Sequence, residues 1–192
     1  MDAREIMKSI DIICLGRAAV DFYGQQIGST LENMGSFAKY LGGSSANIAY
    51  GCSKLGLNSA MLTRVGNEHM GRFVRNELES VGVDTSHVIT DSERLTGLVV
   101  LGIQDKETFP LIFYRKDCAD MAISEKDFTK EFIASSKALL ITGTHFSSDN
   151  TYQTSMKAIE YAKSSDTQVI VDIDYRPVLW GLTELGDGES RF

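Results

Sequence analysis

Along most of the polypeptide, short apolar runs alternate with segments whose apolar side chains recur at helical spacing. Ile10 to Leu15 reads as a strand. Ala46 to Leu55 reads as a helix with Ala46, Ala49, Cys52 and Leu55 on one face, and Ala60 to Val65 as a second strand. Met70, Phe73, Val74, Leu78 and Val81 then mark an amphipathic helix that Gly82 ends. Ala138 to Thr142 predicts a buried strand. Thr151 to Lys163 predicts a helix carrying Tyr152, Met156 and Ile159 on one face, and Val169 to Ile173 a further strand. Strand and helix in alternation imply parallel βαβ units and a sheet covered on both faces.

Two segments break that rhythm. Thr96 to Ile103 and Thr108 to Arg115 are β-rich and are joined by the polar connector Gln104 to Glu107, which predicts an antiparallel hairpin inserted between α/β units. Val20 to Tyr23 and Ser36 to Tyr40 are candidates for the same small sheet, which would serve as a lid or as a homodimer surface.

Composition narrows the function classes. The 192 residues carry a net charge of -7 with 43% hydrophobic and 23% charged positions, values of an ordinary globular protein rather than a disordered chain. No apolar run approaches the roughly 18 residues needed to cross a bilayer, so no membrane partner is expected. An acidic chain without a Lys/Arg stripe is a poor fit to nucleic acid. The N-terminus, MDAREIMKSIDIICLG, does not read as a signal peptide. Cys14, Cys52 and Cys118 are too widely spaced for a disulfide framework or a zinc knuckle, which points to a reducing, cytoplasmic compartment. His69, His87 and His145 have no partner at metal-ligand spacing, so no direct metal site is expected.

The most informative stretch is Leu41-Gly42-Gly43-Ser44-Ser45-Ala46-Asn47-Ile48-Ala49. Two glycines before a helix allow close approach of backbone to a ligand, and Asn47 sits one turn into that helix. Taken alone, the same residues also describe a tight strand-to-helix turn with Ser45 as N-cap. They form neither a dinucleotide fingerprint nor a P-loop. With its continuation Val65-Gly66-Asn67-Glu68-His69-Met70-Gly71-Arg72, the stretch closely resembles the first signature of the ribokinase-like (PfkB) carbohydrate kinases. Asp21 in GRAAVDFYG and the run Val171-Asp172-Ile173-Asp174-Tyr175-Arg176-Pro177-Val178-Leu179-Trp180 match the family in order, except that Asp174 stands where the family usually has Asn.

The resemblance implies an α/β, ribokinase-like three-layer sandwich with a mainly parallel central sheet and a small β lid from segments near 18–40 and 96–115. It implies ATP and Mg2+ as cofactors and a sugar acid as substrate. In that reading Asp21 accepts from sugar hydroxyls, Gly42 and Gly43 bring backbone to the sugar, Asn47 binds a hydroxyl, and Arg115 meets the substrate carboxylate. Arg176 and Asp174 belong to the phosphate and metal network. The family places its catalytic base and anion-stabilising helix in a Gly-Ala-Gly-Asp motif. No counterpart is present in residues 1–192, and Gly186-Asp187-Gly188-Glu189 reads as a loop. The expectation is therefore a partial kinase domain with no catalytic residue in this chain, lacking the C-terminal third and inactive alone. The alternatives are a kinase of the same family acting on 2-keto-3-deoxygluconate or another sugar, and a non-catalytic sugar-binding module. A dehydrogenase-like domain is disfavoured, since Leu15-Gly16-Arg17-Ala18 lacks the glycine fingerprint.

Overall fold

A computed structural model of the chain describes residues 8–184. Five strands make a parallel sheet in the order β5-β4-β1-β8-β9: β1 (Ile10–Leu15), β4 (Ser59–Gly66), β5 (Val88–Asp91), β8 (Ser136–Thr142) and β9 (Gln168–Asp172). Their near-continuous apolar sequences follow from burial on both faces. Ile12, Cys14, Met61, Val65, Ala138 and Leu140 point to one side. There they meet Ala46 and Ala49 of α1 (Ser44–Lys54) and Val74 and Leu78 of α2 (His69–Ser80). Ile13, Leu15, Leu62, Leu139 and Ile141 point to the other, against Ile133 of α3 (Lys130–Ala134) and Ala158 and Ala162 of α4 (Asp149–Lys163). Helix, sheet and helix form the three layers. Each fully buried Leu or Ile contributes about 1.5–3 kcal/mol to holding them together.

The second sheet has the order β3-β2-β6-β7: β2 (Ala19–Gly24), β3 (Phe37–Gly42), β6 (Gly97–Leu101) and β7 (Leu111–Tyr114). β6 and β7 are antiparallel, as the hairpin reading requires. They are shorter than expected, because the turn begins early. Gly102 N–H donates to the Pro110 carbonyl, and Asp105 Oδ1 accepts from the Glu107 and Thr108 amides. Val20 is buried in the α1–α2 core with Phe22, Leu41 and Leu98 packed against it, which seats this sheet on the sandwich.

Three local expectations are corrected. The face of α4 that packs inward is Thr151, Thr154, Ser155, Ala158 and Ala162, whereas Tyr152 and Met156 are 43% and 41% exposed. Small side chains let the helix lie close to the sheet. Thr154 Oγ1 satisfies itself on the Asn150 carbonyl (2.9 Å) and the Ile123 carbonyl (3.2 Å), so hydroxyls occupy positions that hydropathy assigns to the surface. Ser45 is not the N-cap of α1. That place belongs to Gly43, and Ser45 Oγ instead donates to the Leu15 carbonyl at 3.0 Å. The last strand stops at Asp172, leaving Ile173 79% exposed, and along β9 Val171 is 52% exposed. Gly82, with φ of +88°, follows α2 as expected. Gly186 to Glu189 lie outside the described residues. No helix among the described residues is long and apolar enough to cross a membrane.

Candidate functional site

From β1 the chain proceeds to β4 on one side, while β8 takes the other, so strand order reverses at the carboxyl ends of β1 and β8. In open parallel sheets such a reversal opens a crevice suited to ligands. Gly16 and Arg17 leave β1 there, and Thr142 ends β8. Ser44 Oγ donates to Thr142 Oγ1 at 3.0 Å, which pins the start of α1 over the crevice.

The two glycines have separate tasks. Gly43 has φ of +94°, and a Cβ on it would lie 2.4 Å from the Arg17 carbonyl oxygen, so conformation and space both demand glycine. A Cβ on Gly42 would lie 2.0 Å from Asp21 Oδ1. Asp21 thus reaches across β3 onto bare backbone. Its Oδ1 is buried without a hydrogen-bond partner, and burial pushes its pKa up while Arg17 pulls it back. Asp21 and the exposed Asn47 line one open cleft of about 600 Å³ with Tyr23, Tyr40, Leu41 and Ile103. Two of the predicted sugar-site residues, Asp21 and Asn47, therefore share a cleft, Gly42 lies against Asp21, and Gly43 lies against the Arg17 backbone instead.

Arg115 follows β7 and is only 6% exposed. Its Nε donates to Asp120 Oδ2 at 2.8 Å. Its Nη2 lies 2.7 Å from the same oxygen in a geometry that makes no hydrogen bond. Asp174 and Arg176 lie together beyond β9. Arg176 Nε is 3.6 Å from Asp174 Oδ1, and Thr144 Oγ1 donates to Asp174 Oδ2 at 3.3 Å. Asp174 has φ of +29°, in the region that Asn and Asp share as the tolerated non-glycine residues, so the local backbone accepts either side chain.

Three residues in this region escaped the sequence reading. Arg17 is 7% exposed, with its guanidinium carbon 5.5 Å from the centre of the Phe113 ring. Burial lowers its pKa and Arg115 beside it lowers it further, while Asp174, Asp120 and Asp21 oppose this. Asp120 is 1% exposed with Oδ1 unpartnered. His145 is fully buried with both ring nitrogens unpartnered, and burial followed by Arg115 pushes its pKa down to about 3. Arg17 had one legible signal, its position immediately beyond the carboxyl end of the first parallel strand. Asp120 and His145 had none.

The second half of the sequence motif builds a different feature. Glu68 caps α2 by accepting from the Met70 and Gly71 amides, and it also accepts from the Thr96 amide and hydroxyl at the start of β6. Gly66 N–H donates to Thr96 Oγ1 at 3.0 Å. This knot joins β4, α2 and the small sheet.

The model of the pfkB family carbohydrate kinases covers residues 9–185, and the chain belongs to that family. A 5-dehydro-2-deoxygluconokinase from Halalkalibacterium halodurans is 36% identical over 178 residues, covering 92% of this chain and 54% of the relative. One from Geobacillus kaustophilus is 37% identical over 174 residues, covering 90% and 52%. The chain thus spans about half the length of the curated relatives it matches. Among solved structures, a PfkB protein from Polaromonas sp. superposes with a TM-score of 0.84 at 27% identity, over 90% of this chain and 58% of the other.

Proposed function

We propose that this chain supplies the sugar-acid site of an ATP-dependent kinase that phosphorylates the primary hydroxyl of 5-dehydro-2-deoxy-D-gluconate, a step of myo-inositol catabolism. The observation that carries the reading is that Asp21, a carboxylate with an unpartnered Oδ1 packed against Gly42, lines the same cleft as Asn47. A carboxylate offers only acceptors, which suits an array of sugar hydroxyls, and Asn47 both donates and accepts. Arg115 is assigned to the substrate carboxylate, since a planar guanidinium matches it. Arg176 and Asp174 are assigned to the phosphate side, at the carboxyl end of the sheet. The names of the curated relatives support the substrate.

ATP and Mg2+ belong to the same proposal. Among the described residues no group of three or more His, Cys, Asp or Glu is placed to hold a metal, so magnesium is assigned no ligand here. Phosphoryl transfer rests mainly on positioning and charge neutralisation, and the part of it assigned to these residues is to hold and orient the acceptor sugar.

Calorimetric titration of the wild type and of Asp21→Ala with the sugar acid and, separately, with ATP tests the assignment. Asp21→Ala should weaken the sugar acid at least tenfold and leave ATP unchanged. A loss confined to ATP would remove Asp21 from the sugar site, and tighter binding of 2-dehydro-3-deoxygluconate by the wild type would reassign the substrate.

A further inference from the structure

Arg17 is a residue only 7% exposed, and no described residue supplies a hydrogen bond to its side chain or an ion pair within 4 Å. Its Nε is fully enclosed and unused. Proteins rarely retain a buried charge without a partner, because desolvation is then uncompensated. Here a second guanidinium compounds the problem. Arg115 lies close enough to depress the Arg17 pKa, and its Nη2, paired with Asp120 Oδ2 at 2.7 Å, makes no hydrogen bond. Of the carboxylates among the described residues, only Asp120 makes contact, and it bonds Arg115. Asp21 and Asp174 act on Arg17 from beyond contact distance. Arg17 is therefore left without any carboxylate in contact with it among the described residues.

Location narrows what would compensate it. Arg17 leaves β1 at the strand-order reversal, and its head lies against Phe113 of the small sheet. Phe113 pairs with Val99, Val99 with Asp21, and Asp21 with Tyr40, so these four form one cross-strand row on one face. Arg17 and Asp21 therefore address the same face of the lid, the cation toward one end of the row and the acceptor carboxylate toward the other. We infer that Arg17 is a specificity-determining residue which, beside Arg115, receives the carboxylate of the sugar-acid substrate while Asp21 takes its hydroxyls. The inference rests on the sugar-acid reading above and adds the residue that distinguishes the acid from a neutral sugar. A carboxylate suits the fork of a guanidinium that has no carboxylate of its own in contact.

The test is calorimetric titration of wild type, Arg17→Met and Arg17→Lys with 5-dehydro-2-deoxy-D-gluconate, its methyl ester and ATP, together with the melting temperature of each ligand-free protein. Wild type should prefer the acid to the ester. Arg17→Met should lose about 100-fold in affinity for the acid, the scale of removing one partner of a buried charge pair, with ester and ATP unchanged. Arg17→Lys should recover only part of that loss, since an ammonium lacks the fork. Ligand-free Arg17→Met should melt no lower than wild type, because the charge it removes has no hydrogen-bond or ion-pair partner in the free protein and Met keeps an apolar contact with Phe113. Four results would count against the inference: acid preference retained in Arg17→Met, full recovery in Arg17→Lys, a loss that falls on ATP, or an Arg17→Met protein that melts lower or does not fold. Wild type that binds acid and ester equally, or neither, defeats the sugar-acid reading itself.

Discussion

Two polar clusters sit at the carboxyl end of the same parallel sheet and are built in opposite ways. Beyond β4, Glu68 fills its carboxylate with four donors from Met70, Gly71 and Thr96, and Thr96 in turn accepts from Gly66. Burial pushes the Glu68 pKa up, but the hydrogen bonds outweigh it and hold the group below the ordinary carboxylate value. Beyond β1, Arg17 Nε, Arg115 Nη2, Asp120 Oδ1, Asp21 Oδ1 and both nitrogens of His145 are buried and unsatisfied. Neighbouring groups in one fold thus follow different rules. A saturated polar cluster contributes stability and has nothing left to offer a ligand, whereas an unsaturated one costs stability and keeps donors and acceptors for something else.

The largest effect should come from breaking the saturated cluster. Glu68→Ala removes the N-cap of α2 and leaves the Met70, Gly71 and Thr96 amides without their acceptor. Cap loss and orphaned donors together should cost about 3 kcal/mol at neutral pH, read as a lower urea midpoint. Sugar binding by the remaining folded protein should be little changed. A loss below about 0.5 kcal/mol would mean that the knot is not what ties α2 to the small sheet.

The next effect belongs to the unsaturated cluster and depends on pH. The unfolded chain takes a proton on His145 near pH 6.5, but the native protein, with the ring buried beside Arg115 and Asp120, does not do so until about pH 3. Between those values the unfolded state binds more protons, so stability falls as pH falls, by about 1.4 kcal/mol per unit for one group. At pH 5 this amounts to about 2 kcal/mol. His145→Gln should flatten the wild-type slope between pH 6 and 4 in urea titrations. An unchanged slope would show that His145 has a proton-stabilising partner, and the cluster would then be less unsatisfied than its geometry indicates.

What the sequence makes legible follows the same division. Apolar runs report burial directly, so β1 coincides with Ile10 to Leu15, and β4, α2, β8, α4 and β9 are readable in order. The small sheet shows itself through β-rich runs and a turn, and Gly43 through a conformation that glycine alone adopts freely. β5 is four residues long and too short to carry a period, and the inner face of α4 is made of hydroxyls and alanines that hydropathy places outside. The site is half legible for a related reason. Asp21 and Asn47 belong to a motif, but the burial of Arg17, Asp120 and His145 arises from long-range packing between β1, the β7 segment and the loop after β8. Charge is read from sequence as exposed until the fold encloses it.

The smallest effect is also the sharpest probe of the difference between the clusters. Asp21→Asn keeps shape and removes the charge whose Oδ1 has no donor. Burial raises the native pKa of Asp21 above its unfolded value, so the ionised carboxylate is disfavoured in the folded protein. That penalty is fully present well above the native pKa and is relieved as pH falls through it toward 3.8. Asn pays no such ionisation cost, although its amide keeps a polar group at the same position. At neutral pH the variant should therefore be more stable than wild type by a few tenths to about 1 kcal/mol. The difference should shrink in acid, because only the wild type gains from protonation. Sugar binding should move the other way and weaken at neutral pH, since an amide replaces one acceptor oxygen with a donor. Paired urea melts and sugar titrations at pH 7 and pH 4 separate the two. A variant that is less stable at pH 7 would mean that Asp21 is satisfied in solution, and would place it with Glu68 rather than with Arg17.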